Sequence, residues 1–160
     1  MTPIKVLFIC HGNICRSTMA ESVFTHMVHM RHMASEFVID SAATSTEELG
    51  NPPHYGTVAK LRAVGISVVP HRARRMLLAD YDRFDYLIGM DSANVRNMTR
   101  IAEGDPEGKI RLLLDFAADE RRHGQSIADP WYTGDFDETY RDICEGLEGF
   151  FEYLKAENRL

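Results

Sequence analysis

Three cysteines and one tryptophan in 160 residues leave little material for several architectures. Three thiols cannot make a disulfide framework, and their scarcity suits a reducing compartment, where cysteine serves catalysis or redox chemistry. A cytoplasmic location is therefore expected. No apolar stretch approaches membrane-spanning length, and residues 1–5 run straight into an apolar pattern that leaves no room for a signal peptide. A membrane partner is not expected. Basic charge is also short: 18 Lys and Arg against 24 Asp and Glu give a net charge of −6, which argues against general nucleic-acid binding. Repeats, linker-like tracts and low-complexity segments are absent, so a single domain over 1–160 is expected. That length buries a core without help from metals or disulfides.

Strand-like and helix-like patterns alternate along the chain. Segment 4–9 is almost continuously apolar, as a central parallel strand covered on both faces must be. Ala20, Val23, Phe24, Met27 and Met30 recur at helical spacing and predict a helix over about 18–33, with Thr18 and Glu21 fitting a capping box. A second strand is expected over 37–43. Pro52-Pro53 then open a helix with Tyr55, Val58, Ala59 and Arg62 spaced by turns, stopped at Gly65. Strand three is expected over 85–90, a helix capped by Asp91-Ser92 and ending at Gly104 follows, and strand four runs over 110–114. After a long polar loop (115–136), Tyr140, Ile143, Cys144, Leu147, Phe151 and Leu154 mark one face of a last helix. This alternation implies an α/β fold: a mostly parallel sheet with helices on both faces and right-handed crossovers. Ligands of such sheets sit beyond the carboxyl ends of the strands. Long loops in compact domains are usually functional, which draws attention to 115–136.

The segment at the end of strand one is Cys10-His11-Gly12-Asn13-Ile14-Cys15-Arg16-Ser17. A strand-to-helix turn gathers free backbone N–H groups and the positive end of a helix dipole, which together favour a bound anion. Gly12 and Asn13 tolerate unusual backbone angles, so consecutive N–H groups can point inward as an anion nest. Arg16 can grip two phosphate oxygens in a planar fork. The same field favours the thiolate of Cys10 and makes it a nucleophile. Cys15, five residues on, is placed to trap an oxidised Cys10 as a reversible disulfide, or else packs beneath the loop. Asp129-Pro130 read alone is a turn. Cys144 is expected to be a small buried hydrophobe. His26, His29 and His32 are poorly placed around one helix for ligation, and no metal or other cofactor is expected. The basic cluster His71-Arg72-Ala73-Arg74-Arg75 reads as solvated loop residues or a rim of the active site.

The Cys-x5-Arg-Ser segment resembles the signature of the low-molecular-weight protein tyrosine phosphatases, and the resemblance spans nearly the whole chain. It includes Asp40-Ser41-Ala42-Ala43-Thr44-Ser45, Gly50-Asn51-Pro52-Pro53, Phe84-Asp85-Tyr86, Met90-Asp91 with Asn94, and Asp129-Pro130-Trp131-Tyr132. It implies a three-layer fold around a four-stranded parallel sheet of order 2-1-3-4, with the phosphate-binding loop after strand one. It implies Cys10 as nucleophile, Arg16 on the phosphate, and Asp129 as the acid that protonates the leaving oxygen and then activates water. Such assistance is worth about 10²–10⁴-fold in rate. The loop residues His11, Gly12, Asn13, Ile14, Cys15 and Ser17 bind phosphate, with Ser17 donating to the sulfur. Asn13 is steadied by Ser41 and His71, and Asp91 stands on the loop side of the sheet as a supporting residue or a helix cap.

Trp131 and Tyr132 are expected to line the mouth and stack on a phenyl ring. Two positions depart from the pattern. Thr18 stands where proline is usual, and Glu47-Glu48 stand where an aromatic wall is common. The carboxylate should disfavour acidic peptides. The implied partners are phosphotyrosine proteins or aryl phosphates, with phosphate or vanadate as inhibitors and a monomer or weak dimer as the assembly. Three rival activities remain on this scaffold. Arsenate reductases need further cysteines that 76–100 lacks. Arginine phosphatases carry threonine where this chain has Ile14. A phosphopeptide-binding module needs neither Cys10 nor Asp129.

Overall fold

The computed structural model describes residues 2–160. Strand β1 (Ile4–Cys10) lies inside a parallel sheet with β2 (Phe37–Ala43), β3 (Tyr86–Gly89) and β4 (Ile110–Leu112), in the order β2-β1-β3-β4. Because side chains alternate across a strand, β1 feeds two cores at once. Val6, Phe8 and Cys10 face a core shared with α1 (Arg16–Met30), α2 (Tyr55–Ala63) and α6 (Phe136–Ala156). Leu7 and Ile9 face a second core closed by α3 (Leu78–Arg83) and α4 (Ser92–Ile101). This is the three-layer arrangement and strand order that the resemblance implied.

Phe24 of α1 anchors the larger core, with ring centroids 5.8, 5.2 and 5.4 Å from Phe8, Phe37 and Phe150. Burial of such a side chain is worth about 1.5–3 kcal/mol. Helix α6 approaches the 3₁₀ turn Leu113–Phe116 so closely that a Cβ on Gly149 would lie 1.8 Å from the Phe116 carbonyl oxygen.

Several local expectations are corrected. Helix α1 begins at Arg16, not Thr18, and Cys15 is its N-cap without a side-chain cap bond. Thr18 instead turns its hydroxyl back to the Ile14 and Cys15 carbonyls, and Glu21 is drawn inward to Ser41, so no capping box forms between them. In α2 the buried residues are Thr57 and Leu61, whereas Tyr55, Ala59 and Arg62 are exposed. The apolar spacing there marked mostly the outer face; the helix packs instead through fully buried Leu61 and through a Thr57 hydroxyl bond to the Cys15 carbonyl. Strand β4 stops at Leu112, where the chain tightens into the 3₁₀ turn. Helix α3 had no counterpart in the sequence pattern. The loop 115–136 contains α5 (Pro130–Thr133) and a 3₁₀ turn at Glu120–Arg122. His26 is half-buried, and His29 and His32 are exposed.

Candidate active site

The loop between β1 and α1 carries the first half of the site. Asn13 takes φ 61°, the left-handed conformation that asparagine tolerates better than most residues. Gly12 does not need positive φ; its small size matters instead, since a Cβ there would sit 3.3 Å from Glu48 Cγ. The N–H groups of residues 12–16 donate to no protein acceptor among the described residues. Loop amides and the first turn of α1 thus offer donors to a tetrahedral anion.

Cys10 Sγ lies 3.1 Å from Ser17 Oγ and 3.4 Å from the Ser17 backbone N, which donates to it. The direction of the hydroxyl bond follows from its neighbours. Asn13 Nδ2 donates to Ser17 Oγ at 2.8 Å and to Ser41 Oγ at 3.0 Å. Ser41 Oγ donates to Glu21 Oε1 at 2.5 Å. With a lone pair of Ser17 taken by Asn13, the Ser17 hydroxyl proton is free to point at sulfur. Asn13 Oδ1 is held by His71 Nε2 at 2.7 Å and by the Arg74 backbone N at 3.2 Å. Asn13, Ser17 and Ser41 are fully buried, so each bond acts in a poorly screened setting. The two loop thiols are differentiated. Burial pushes the Cys15 thiol up to about 12, and the Cys10 charge adds to the effect, so Cys15 stays protonated.

Arg16 extends under the loop, 2 % exposed. Its Nη1 donates to Asp91 Oδ2 at 2.7 Å and to the Ile127 carbonyl at 2.9 Å, and its Nη2 lies 3.4 Å from Asp129 Oδ2. Burial works against the guanidinium charge, but Cys10, Asp91 and Asp129 more than restore it. Nε is buried with no partner among the described residues, a donor of the kind an oxyanion satisfies. Asp91 is both anchor and cap: its Oδ1 accepts the Asn94 N–H at 2.7 Å at the start of α4.

Asp129 arrives from the long loop. Its Oδ1 accepts the Trp131 N–H at 3.0 Å and so caps α5, which Pro130 opens at a position where no N–H is needed. Asp129 lines a cleft of about 90 Å³ together with Cys10, Ile14, Glu47, Trp131 and Tyr132; His11, Gly12, Cys15 and Glu48 complete it. Both aromatics stand exposed at the mouth of the cleft, as expected. The side chains of Asn13, Arg16 and Ser17 are buried beneath the residues that line the cleft.

Several residues had no signal in the sequence. His54 donates its N–H to the Ile14 carbonyl at 2.7 Å, caps α2 through Nδ1, and packs against Phe136 and edge-on to Trp131. It ties the phosphate loop to the aromatic wall. Glu21, Asp40 and His71 bring potential ligand atoms within 4.8 Å of one another, a cluster that sequence spacing had not suggested. Their groups are already engaged by Ser41 and by Arg74, whose Nη2 donates to Asp40 at 3.1 Å. Arg74 also pairs with Asp80 at 3.0 Å, so it is a structural clasp and not a solvated rim residue; Arg72 and Arg75 are exposed. Burial raises Glu21 to about 7 and depresses His71.

The family model described as low molecular weight phosphotyrosine protein phosphatase matches residues 5–160. The chain is 38% identical over 157 residues to the low molecular weight protein-tyrosine-phosphatase YfkJ of Bacillus subtilis, covering 98% of this chain and 99% of that one. The crystal structure of YfkJ superposes with a TM-score of 0.92 at 37% identity over 98% of each chain. A Drosophila arginine phosphatase superposes with a TM-score of 0.85 at 29% identity, covering 95% of this chain and 98% of that one. A match along almost the full length, together with the shared architecture, makes this chain a member of the low molecular weight phosphotyrosine protein phosphatase family.

Proposed function

We propose that this protein hydrolyses phosphotyrosine and aryl phosphate monoesters in two steps through a phosphocysteine on Cys10. In the first step the Cys10 thiolate attacks phosphorus, the bond from phosphorus to the phenolic oxygen breaks, and Asp129 gives that oxygen its proton. In the second, Asp129 takes a proton from water, the water oxygen attacks phosphorus, and the S–P bond breaks to return the thiolate and release phosphate. Loop amides and Arg16 hold the three non-bridging oxygens through both steps. Ser17 stabilises sulfur as it leaves. The observation that carries the reading is the 3.1 Å approach of Ser17 Oγ to Cys10 Sγ at the floor of a cleft that Asp129 also lines.

Trp131 and Tyr132 supply a wall on which a phenyl ring stacks. A short phosphoserine side chain reaches the floor poorly. Ile14, 8 % exposed and lining the cleft, supports aryl over guanidino phosphates. Inorganic phosphate and vanadate act as inhibitors at the same amides. The free thiols support a cytoplasmic setting and a protective Cys10–Cys15 disulfide under peroxide, and the protein acts as a monomer or weak dimer. Hydrolysis of p-nitrophenyl phosphate and a phosphotyrosine peptide in the presence of a chelator tests the reading. Turnover that is abolished in Cys10→Ser is expected. Undiminished turnover in that variant overturns the assignment.

A further inference from the structure

The two walls of the cleft differ in charge. Trp131 and Tyr132 make one; Glu47, Glu48 and His11 make the other. Glu48 is folded against Gly12, and its carboxylate accepts from Asn51 Nδ2 at 2.6 Å. Glu47 is presented differently. Its Oε2 lies 2.9 Å from His11 Nε2, its Oε1 has no protein partner among the described residues, and its side chain is 68% exposed.

The backbone that carries Glu47 is fixed to the phosphate loop. Thr44 N donates to the Cys10 carbonyl at 3.0 Å, and Ser45 donates to the His11 carbonyl through N at 3.1 Å and through Oγ at 2.8 Å. The loop that carries Glu47 is therefore tied to the phosphate loop, and its carboxylate stands at the cleft rim beside His11. No Lys or Arg side chain lines the cleft among the described residues, and Arg16 is committed beneath it.

We propose that Glu47, oriented by His11, is a specificity-determining residue that selects phosphotyrosine flanked by Lys or Arg. The inference rests on the phosphatase reading above and deepens it. When the phosphorylated ring enters the cleft, the neighbouring peptide residues stay at the rim. A cationic side chain there meets Glu47 Oε1 while His11 keeps Oε2, so neither existing bond is lost. An acidic neighbour meets the carboxylates of Glu47 and Glu48 together. Exposed ion pairs are individually weak, so the discrimination is modest: about 3–10-fold in kcat/KM between Lys-flanked and Glu-flanked peptides at low salt. Screening by salt reduces it. The effect falls on KM, because the rim contacts ground state and transition state alike.

The test uses two phosphotyrosine peptides of equal length that differ only in Lys or Glu at the flanking positions, with p-nitrophenyl phosphate as a substrate that has no flanks. Wild-type protein is expected to favour the Lys-flanked peptide, less so at high ionic strength. Glu47→Gln should weaken the preference and Glu47→Lys should reverse it. Each ratio is taken on one preparation, so differences in folded fraction cancel. Equal kcat/KM for both peptides in wild type, or a ratio unmoved by both substitutions, overturns the role of Glu47. Wild-type protein inert toward p-nitrophenyl phosphate as well as both peptides refutes the phosphatase reading itself.

Discussion

Replacing Asp91 by asparagine separates two duties of one carboxylate. Oδ1 caps α4 through Asn94, and Oδ2 faces Arg16 Nη1 at 2.7 Å. Asparagine retains an oxygen for the cap but removes the charge opposite a guanidinium whose side chain is only 3% exposed. Deleting one partner of a buried pair costs about 3–5 kcal/mol. Here the Ile127 carbonyl at 2.9 Å and Asp129 at 3.4 Å remain, so the loss is smaller. We predict roughly 1–2 kcal/mol for Asp91→Asn, and about 1 kcal/mol more for Asp91→Ala through the lost cap. For a chain of this size that is a fall in Tm of roughly 2–8 °C for Asp91→Asn. A less constrained Arg16 meets phosphate off its productive geometry, and misplacement by ~1 Å costs on the order of 10²-fold. Steady-state kinetics on p-nitrophenyl phosphate, phosphate inhibition and calorimetry together read these effects. Wild-type kcat and phosphate affinity in Asp91→Asn would refute the anchoring role, and a fall in Tm confined to Asp91→Ala would reduce Asp91 to a helix cap.

Asp129→Asn keeps an oxygen to cap α5 but has no carboxyl proton, so it should slow phenyl phosphate by about 10²–10⁴-fold and esters of good leaving groups much less; equal losses on both contradict the acid role. Glu21, raised by burial from 4.5 to about 7, holds a proton in the native state that the unfolded chain releases. Stability is therefore lost as pH rises from about 4.5 to about 7, by ~3 kcal/mol in all, and Glu21→Gln should abolish that slope in denaturant titrations. Parallel pH profiles for the two proteins would remove Glu21 as its source. Gly149→Ala should lower stability by about 1–3 kcal/mol despite the better helix propensity of alanine, because its Cβ meets the Phe116 carbonyl. An unchanged Tm would contradict that close approach.

The parts legible in the sequence are those that repeat or break a period locally. The apolar run before Cys10 could only be an interior strand, and a cysteine, glycine, asparagine and arginine at its end declared an anion site. The parts that stayed hidden depend on partners far along the chain. Glu21, one turn into α1, carried the local signature of a cap, yet its partner is Ser41 on β2. Arg74 looked like a solvated charge until Asp40 and Asp80 were brought to it by the fold. Helices α3 and α5, of six and four residues, are too short to show periodicity, and α5 begins with an Asp-Pro pair that reads as a turn. In α2 the inward positions are Thr57 and Leu61, and the polar Thr57 disguised that face in the sequence. Glu47 was visible as a departure, but its bond to His11 was not.

Acid quenching during the first turnover of p-nitrophenyl phosphate, followed by peptide mass mapping, reaches the central claim most directly. The account predicts a burst of nitrophenol with phosphate bound through sulfur at Cys10, and accumulation that increases in Asp129→Asn with this good leaving group as the second step slows. Linear product release with Cys10 unmodified throughout would mean that water attacks the ester directly, and the loop would then be a binding cradle without a nucleophile.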